Sequence, residues 1–272
     1  MIVPTWNEAA SIGEVVERLF AAASDGVELL VVDDASPDGT AELVRALVPT
    51  QPGLHLLARP AKLGLGTAYR AGFRWALERG FWAVVEMDGD ASHDPADVPR
   101  LLDALRDADL VIGSRYVSGG RISNWGRRRR LLSSAGNLYA RLCLNHAIED
   151  WTSGFRAYRA TLLAGIDLAT VRSEGYAFQI EMARRAQRAG GRVAEIPITF
   201  TERTSGRSKM SSAIVLEALA RVAWWGLRER LGRRSRGGRG SQAPAFGPGE
   251  PSRRTADAPP ERPLPPPPPR RP

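Results

Sequence analysis

Apolar and polar positions follow two alternating registers along the first two-thirds of the chain. Nearly continuous apolar runs at Ile2-Val3, Leu29–Val32, Leu54–Ala58, Trp82–Met87 and Leu110–Gly113 have the length of strands buried on both faces. Between them, apolar residues recur at helical spacing over Glu8–Ala22, Asp38–Val48, Gly64–Arg79 and Pro95–Arg106. This alternation predicts an α/β domain with a Rossmann-like, mostly parallel sheet covered by helices on both faces. Ligands of such sheets gather beyond the carboxyl ends of the strands, where strand order reverses. The polar clusters here sit in that position: Thr5–Glu8, Asp33–Thr40, Asp88–His93 and Ser114–Arg130. The first run is short for a central strand of about five or six residues, which predicts further strand residues upstream of Met1.

Past Gly113 the pattern changes. A Gly- and Arg-rich loop to Arg130 leads to a helix at Leu131–Asn145, then an irregular segment holding Asp150, Ser153, Gly154 and Arg156. A helix at Tyr176–Ala189, a strand at Val193–Phe200, a polar loop at Thr201–Lys209 and a helix at Ser211–Leu231 follow. The last helix carries Ile214, Val215, Leu219, Val222, Trp224, Trp225 and Leu227, interrupted by Glu217 and Arg221. Such an amphipathic stripe suits either a membrane interface or docking on the core. From Gly232 onward the chain is Arg, Gly, Ser and Pro, with 12 of its 20 prolines. That composition buries too little apolar area to offset ordering entropy. The chain therefore divides into a folded domain, 1–231, and a disordered Arg/Pro-rich tail, 232–272.

The net charge of +8 changes meaning once it is localised. Leu227–Pro272 holds 11 Arg and 4 acidic residues, leaving 27 basic against 26 acidic residues in the rest. The domain is almost neutral, and a basic tail without interleaved aromatics does not make a nucleic-acid binder. Cys143 is the single cysteine, so no intrachain disulfide forms, a cytoplasmic setting is the default, and the residue reads as a small core side chain. No run of about 18 apolar residues marks a membrane-spanning helix.

Three clusters carry chemistry. In VVEMDGDASHDP (Val84–Pro95) a strand ends in Asp88-Gly-Asp90. Carboxylates so close repel unless a cation lies between them, and oxygen ligands suit Mg²⁺ or Mn²⁺, which also bridge phosphates. In VVDDASPDGT (Val31–Thr40) a carboxylate at the strand end suits a base or ribose, and Asp38 reads as a helix cap. Gly64-Leu-Gly66 opens a helix, where backbone amides cradle phosphate, but without dinucleotide spacing. His93 and His146 have no visible partners at ligand spacing.

These segments, with PTWNE (Pro4–Glu8), KLGLGTAYRAGF (Lys62–Phe73), GSRY (Gly113–Tyr116), DWTSGFRAYR (Asp150–Arg159), GYAFQIEM (Gly175–Met182) and RTSGRSK (Arg203–Lys209), fall in one order. In that order the chain resembles the family 2 inverting glycosyltransferases, and within them the polyprenol (dolichol) phosphate mannosyltransferases, over roughly residues 1–230. The resemblance implies a GT-A type fold, with 1–231 as the catalytic domain. It implies nucleotide-sugar contacts at Pro4, Trp6 (where Tyr is common), Glu8, Val32, Asp34, Asp88, Gly89, Asp90, Arg203 and Lys209. Asp88, Asp90 and Ser92 would hold the metal, with Ser92 standing where relatives often have Gln. Arg115, Arg129 and Ser133 would hold the acceptor's phosphate, and Arg203 would offset charge on the leaving diphosphate. Asp150, Ser153 and Arg156 would brace the site. The implied reaction moves mannose from GDP-mannose to a polyprenyl phosphate, with glucosyl or N-acetylglucosaminyl transfer from a UDP-sugar as the alternative. The enzyme would lie peripherally on the cytoplasmic face of a membrane, through Trp224, Trp225 and the tail or through a membrane-anchoring subunit.

Overall fold

A computed structural model describes residues 1–22, 26–144, 147–202 and 212–237. In chain order its strands are β1 (Ile2–Thr5), β2 (Leu29–Asp33), β3 (Leu54–Ala58), β4 (Ala83–Glu86), β5 (Leu110–Ser114), β6 (Arg121–Ser123), β7 (Arg156–Arg159), β8 (Val193–Pro197) and β9 (Thr199–Thr201). The helices are α1 (Ile12–Ala22), α2 (Thr40–Leu47), α3 (Leu65–Glu78), α4 (Val98–Ala104), α5 (Arg127–Cys143), α6 (Ala160–Ala164), α7 (Gly175–Arg188) and α8 (Ser212–Gly237).

Seven strands form one sheet in the order β3-β2-β1-β4-β7-β5-β8, and β6 pairs with β9 in a small second sheet. All pairs are parallel except those of β7, which runs antiparallel to both β4 and β5. The expected mostly parallel sheet is thus present, with one reversed strand, β7, in its interior. Two cores lie on its faces. One gathers Val3, Val31, Val85 and Val111 with Ile12, Val15, Leu19 and Leu101 of α1 and α4. The other gathers Ile2, Leu30, Val84 and Ile112 with Tyr69, Phe73, Phe178 and Met182 of α3 and α7. Each set of strand residues alternates, as the two-residue strand period requires.

The elements differ from the sequence pattern in places with physical causes. β7 falls in the segment read as irregular, because Arg at both ends masks the buried Ala157 and Tyr158. The run at Val193–Phe200 is two strands: β8 follows β5 to Pro197, and β9 then turns to β6. Helix α5 begins at Arg127 rather than Leu131, so Arg127–Arg130 form its first turn instead of a loop. Helix α8 continues to Gly237, past Leu231.

Pro4 decides how the sheet opens. The Ile2 carbonyl accepts from Met87 N, which places residues 2 and 4 toward β4. The next bond of that ladder needs an N–H at position 4, which proline lacks. Pairing of β1 with β4 accordingly stops at Ile2 and Glu86, while β1 continues along β2 through Thr5 and Asp33. The two strands fork where the strand order reverses, and Asp88-Gly-Asp90 leaves β4 into that fork.

Candidate active site

The fork is lined by tightly held turns. Asn7, Ala35, Ala91 and Asn124 have φ between 57° and 64°, a left-handed conformation uncommon outside glycine. All four follow the carboxyl ends of strands, where strain of this kind marks functional loops. A Cβ on Gly89 would meet Val3, Thr5 and the Pro4 carbonyl at 3.1–3.3 Å. Its own carbonyl accepts from Ser11 Oγ at 2.8 Å. Glycine lets the carboxylate pair lie this close to β1.

The Asp88 side chain is 35% exposed, with His93 Nε2 3.4 Å from its Oδ2 and the Tyr69 hydroxyl at 3.5 Å from Oδ1. Burial opposes its ionisation, but proximity of His93 and the charge of Arg115 hold the carboxyl below its usual range. Gly154 is also required here: a Cβ would stand 3.1 Å from the carboxylate. Asp90 Oδ1 accepts from Ser92 N at 3.1 Å and Ser92 Oγ at 2.5 Å. The Ser92 hydroxyl therefore orients Asp90. Among the described residues no three His, Cys, Asp or Glu side chains cluster as a ligand set. Two carboxylates at the fork fit a hard divalent ion.

His93, which the sequence left without chemistry, is buried between Phe155 and Phe200, with ring centroids at 5.1 and 5.0 Å. Behind Asp88, the fully buried Glu86 opposes Arg156 in the β4–β7 register. Burial pushes the Glu86 carboxyl up to about 8 against the pull of Arg156. Arg156 itself donates to the carbonyls of Trp151, Ser153 and Gln179 at 2.6–2.8 Å, tying β7 to α7.

On the β2 side, Asp33 is bound internally by Thr5 and Ser36. Asp34 accepts from the amides of Leu63 and Gly64 at 3.1 and 2.9 Å and pairs with buried Arg59. This fixes the loop that carries Lys62, whose ammonium lies 4.6 Å over the Trp6 ring. Pro4, Trp6, Val32 and Asp34 are thereby gathered at the ends of β1 and β2. Glu8 stands one turn further, its amide donating to Thr40 Oγ1. Asp38 accepts from Thr40 N and Ala9 N, so it joins the start of α2 to the β1 loop. Gly64-Leu-Gly66 is no open phosphate cradle. Glu174 accepts from Gly66 N at 2.7 Å, and a Cβ at Gly64 would lie 2.7 Å from its carboxylate.

Across the fork is a second, basic wall. Arg115 Nε and Nη2 each donate to Asp150 at 2.7 Å, and Nη2 also reaches Thr152. Burial alone opposes both charges; their pairing more than offsets it, holding Asp150 below the usual carboxylate range and Arg115 above its own. Asn137 of α5 donates to Asp150 and Thr152 and accepts from Trp151 N. Ser133 Oγ accepts from the Tyr116 hydroxyl at 2.8 Å, and the Arg129 guanidinium lies 4.4 Å over Trp125. Trp125 and Asn137 lie outside every motif, and Tyr116 and Thr152 lie within motifs that assign them no role; their contacts are with distant segments. Arg203, Lys209 and His146 lie outside the described residues.

A mostly parallel sheet, a carboxylate pair in the fork where strand order reverses, and a facing basic wall define a glycosyltransferase of GT-A type. The chain belongs to glycosyl transferase family 2, whose model matches residues 1–166. It is 51% identical over 229 residues to an undecaprenyl-phosphate mannosyltransferase of Micrococcus luteus, covering 84% of this chain and 94% of that protein. It is 50% identical over 235 residues to a polyprenol monophosphomannose synthase of Mycolicibacterium smegmatis, covering 86% and 88%. Among solved structures it is similar in fold to glucosyl-3-phosphoglycerate synthase from Mycobacterium tuberculosis in complex with Mn²⁺, UDP-glucose and phosphoglyceric acid. That likeness has a TM-score of 0.58 at 21% identity and covers 85% of this chain and 78% of that one.

Proposed function

We propose that the protein transfers mannose, with inversion, from GDP-mannose to the phosphate of a polyprenyl lipid. The observation that carries this reading is that Asp88 lies between the walls: it leaves β4 at the fork beside β1, and its carboxylate is backed by Gly154 of the segment whose Asp150 holds Arg115. Two relatives at about half identity, named for mannose transfer to polyprenyl phosphates, support the choice of sugar and acceptor.

Pro4, Trp6, Glu8, Val32 and Asp34 receive the nucleoside. Asp88 and Asp90 hold a divalent cation, Mg²⁺ or Mn²⁺, with Ser92 as brace to Asp90. Such a cation, when bound, neutralises charge on the diphosphate. Arg129 and Ser133, on one face of α5, receive the acceptor's phosphate, and Arg115, locked by Asp150, contributes a fixed positive field. Four Arg in the first turn of α5 oppose its dipole, an arrangement that favours an anionic partner. A phosphate oxygen attacks the anomeric carbon while the bond to the GDP oxygen breaks. The acceptor is already anionic, so positioning and charge stabilisation suffice without a general base. By the family pattern, Arg203 and Lys209 add positive charge at the leaving diphosphate.

The lipid acceptor requires contact with a membrane surface. No helix among the described residues is long and apolar enough to cross one. On α5, Leu131, Leu138 and Leu142 share a face and are 52–72% exposed; on α8, Trp224, Leu227 and Leu231 are 54–60% exposed. The two helices touch where Gly226 meets Cys143. This apolar face beside Arg127–Arg130 suits the interfacial zone of the cytoplasmic leaflet, alone or with a membrane subunit.

Transfer from a panel of GDP- and UDP-sugars to a polyprenyl phosphate tests the reading. Mannose from GDP-mannose is expected. Transfer of glucose or N-acetylglucosamine from a UDP-sugar instead would replace it.

A further inference from the structure

The two arginines of the basic wall are held differently. Arg115 is buried, with Nε and Nη2 both committed to Asp150. Arg129 is 39% exposed, and its Nη1 donates to Glu202 Oε1 at 2.5 Å. Glu202 is itself 34% exposed. Its backbone is fixed: Glu202 N donates to the Ser123 carbonyl at 3.2 Å, and Thr201 N donates to the Ser92 carbonyl at 3.0 Å. Trp125 lies under the Arg129 guanidinium and meets Phe200 edge-on at 5.4 Å. The aromatic stack fixes the guanidinium plane whichever anion occupies its edge.

We propose that Glu202 is a tethered competitor for the acceptor's phosphate at Arg129, and so sets acceptor affinity. This rests on the acceptor reading given above. A half-exposed carboxylate–guanidinium pair is weak and exchanges readily. A phosphate brings more charge and accepts a two-pronged bond from the same guanidinium. Because the backbone of Glu202 is pinned, exchange needs only rotation of its side chain. The carboxylate admits an anion that outcompetes it and keeps weaker anions out.

Binding of a short-chain polyprenyl phosphate, measured by calorimetry in detergent, tests this on wild type, Glu202→Gln, Arg129→Ala and the double variant. Glu202→Gln is expected to tighten binding about two- to five-fold, leaving KM for the sugar nucleotide unchanged. Arg129→Ala is expected to weaken binding, and the double variant to bind as Arg129→Ala does, since the carboxylate then has nothing to block. If Arg129→Ala weakens binding but Glu202→Gln leaves it unchanged or weaker, the competitor role is overturned and the acceptor reading stands. If Arg129→Ala binds as tightly as wild type, the acceptor reading fails and this inference with it. Should Glu202→Gln not fold, Glu202→Asp decides: its retracted carboxylate is expected to tighten binding to a smaller degree, and unchanged binding would refute the proposal.

Discussion

Asp90 and Asp150 are carboxylates on the two walls of the fork, and they answer to different tests. Asp90→Ala removes one oxygen donor from the fork and is expected to lower turnover by about 10²-fold or more. Its thermal midpoint should shift little; a fully active variant would sink the cation assignment. Asp150 is wholly buried against Arg115, and Asp150→Asn strands that guanidinium, at a cost of about 3–5 kcal/mol at neutral pH. The sign of the pH dependence follows from the depressed carboxyl. Its stabilisation is fully present above the ordinary carboxylate value and is lost as pH falls through the lower folded value. Urea unfolding at pH 7 and pH 3 should therefore show the gap between wild type and variant narrowing in acid. At this scale the sequence was readable wherever residues act with chain neighbours, as in Asp88-Gly-Asp90. It was silent on Trp125 and Asn137 and gave His93 no chemistry, because their partners lie in other segments; Ser92, named from the resemblance as a ligand, has its hydroxyl on Asp90.

Glycine pairs before helices are open to two readings, and helix α3 shows why the element must be seen whole. Its N-terminus is covered by Glu174 from the loop before α7, a carboxylate of this chain on the amide that a phosphate would otherwise use. The close approach is what the glycines serve: a Cβ at Gly66 would lie 2.5 Å from the Ser173 carbonyl. Gly66→Ala is expected to destabilise the fold by about 1–3 kcal/mol through overpacking, measurable as a lower urea midpoint with unchanged slope. Periodicity located α1 to α4 and the apolar strands because each repeats its signal over several residues. It missed β6 and β7 because three or four residues bounded by Arg or Ser hold too few repeats to count. The start of α5 was hidden for a related reason, since four Arg in a first turn run against the helix dipole.

At the scale of the molecule, the domain is almost neutral and the positive charge lies at the C-terminal end. Ala140 of α5 and Val222 of α8 are buried in the core, whereas the exposed Leu131, Leu138 and Leu142 of α5 and Trp224, Leu227 and Leu231 of α8 lie outside it, beside the basic wall. Leu131→Ser with Leu138→Ser is expected to reduce co-sedimentation with anionic phospholipid vesicles about tenfold or more. Turnover on a short-chain, detergent-dissolved acceptor should change little. Retained vesicle binding would place attachment elsewhere on the chain. One reversed strand has a consequence of another kind. β7 is made from residues 156–159, yet it lies between β4 and β5, which come earlier in the chain. During synthesis β5 has nothing to join it to β4 until Arg159 has left the ribosome, and its other neighbour, β8, comes later still. Until then β4 and β5 each present a bare edge to any neighbouring nascent chain, the exposure from which aggregation starts. The strand that backs the carboxylate pair is also the one that closes the gap between β4 and β5.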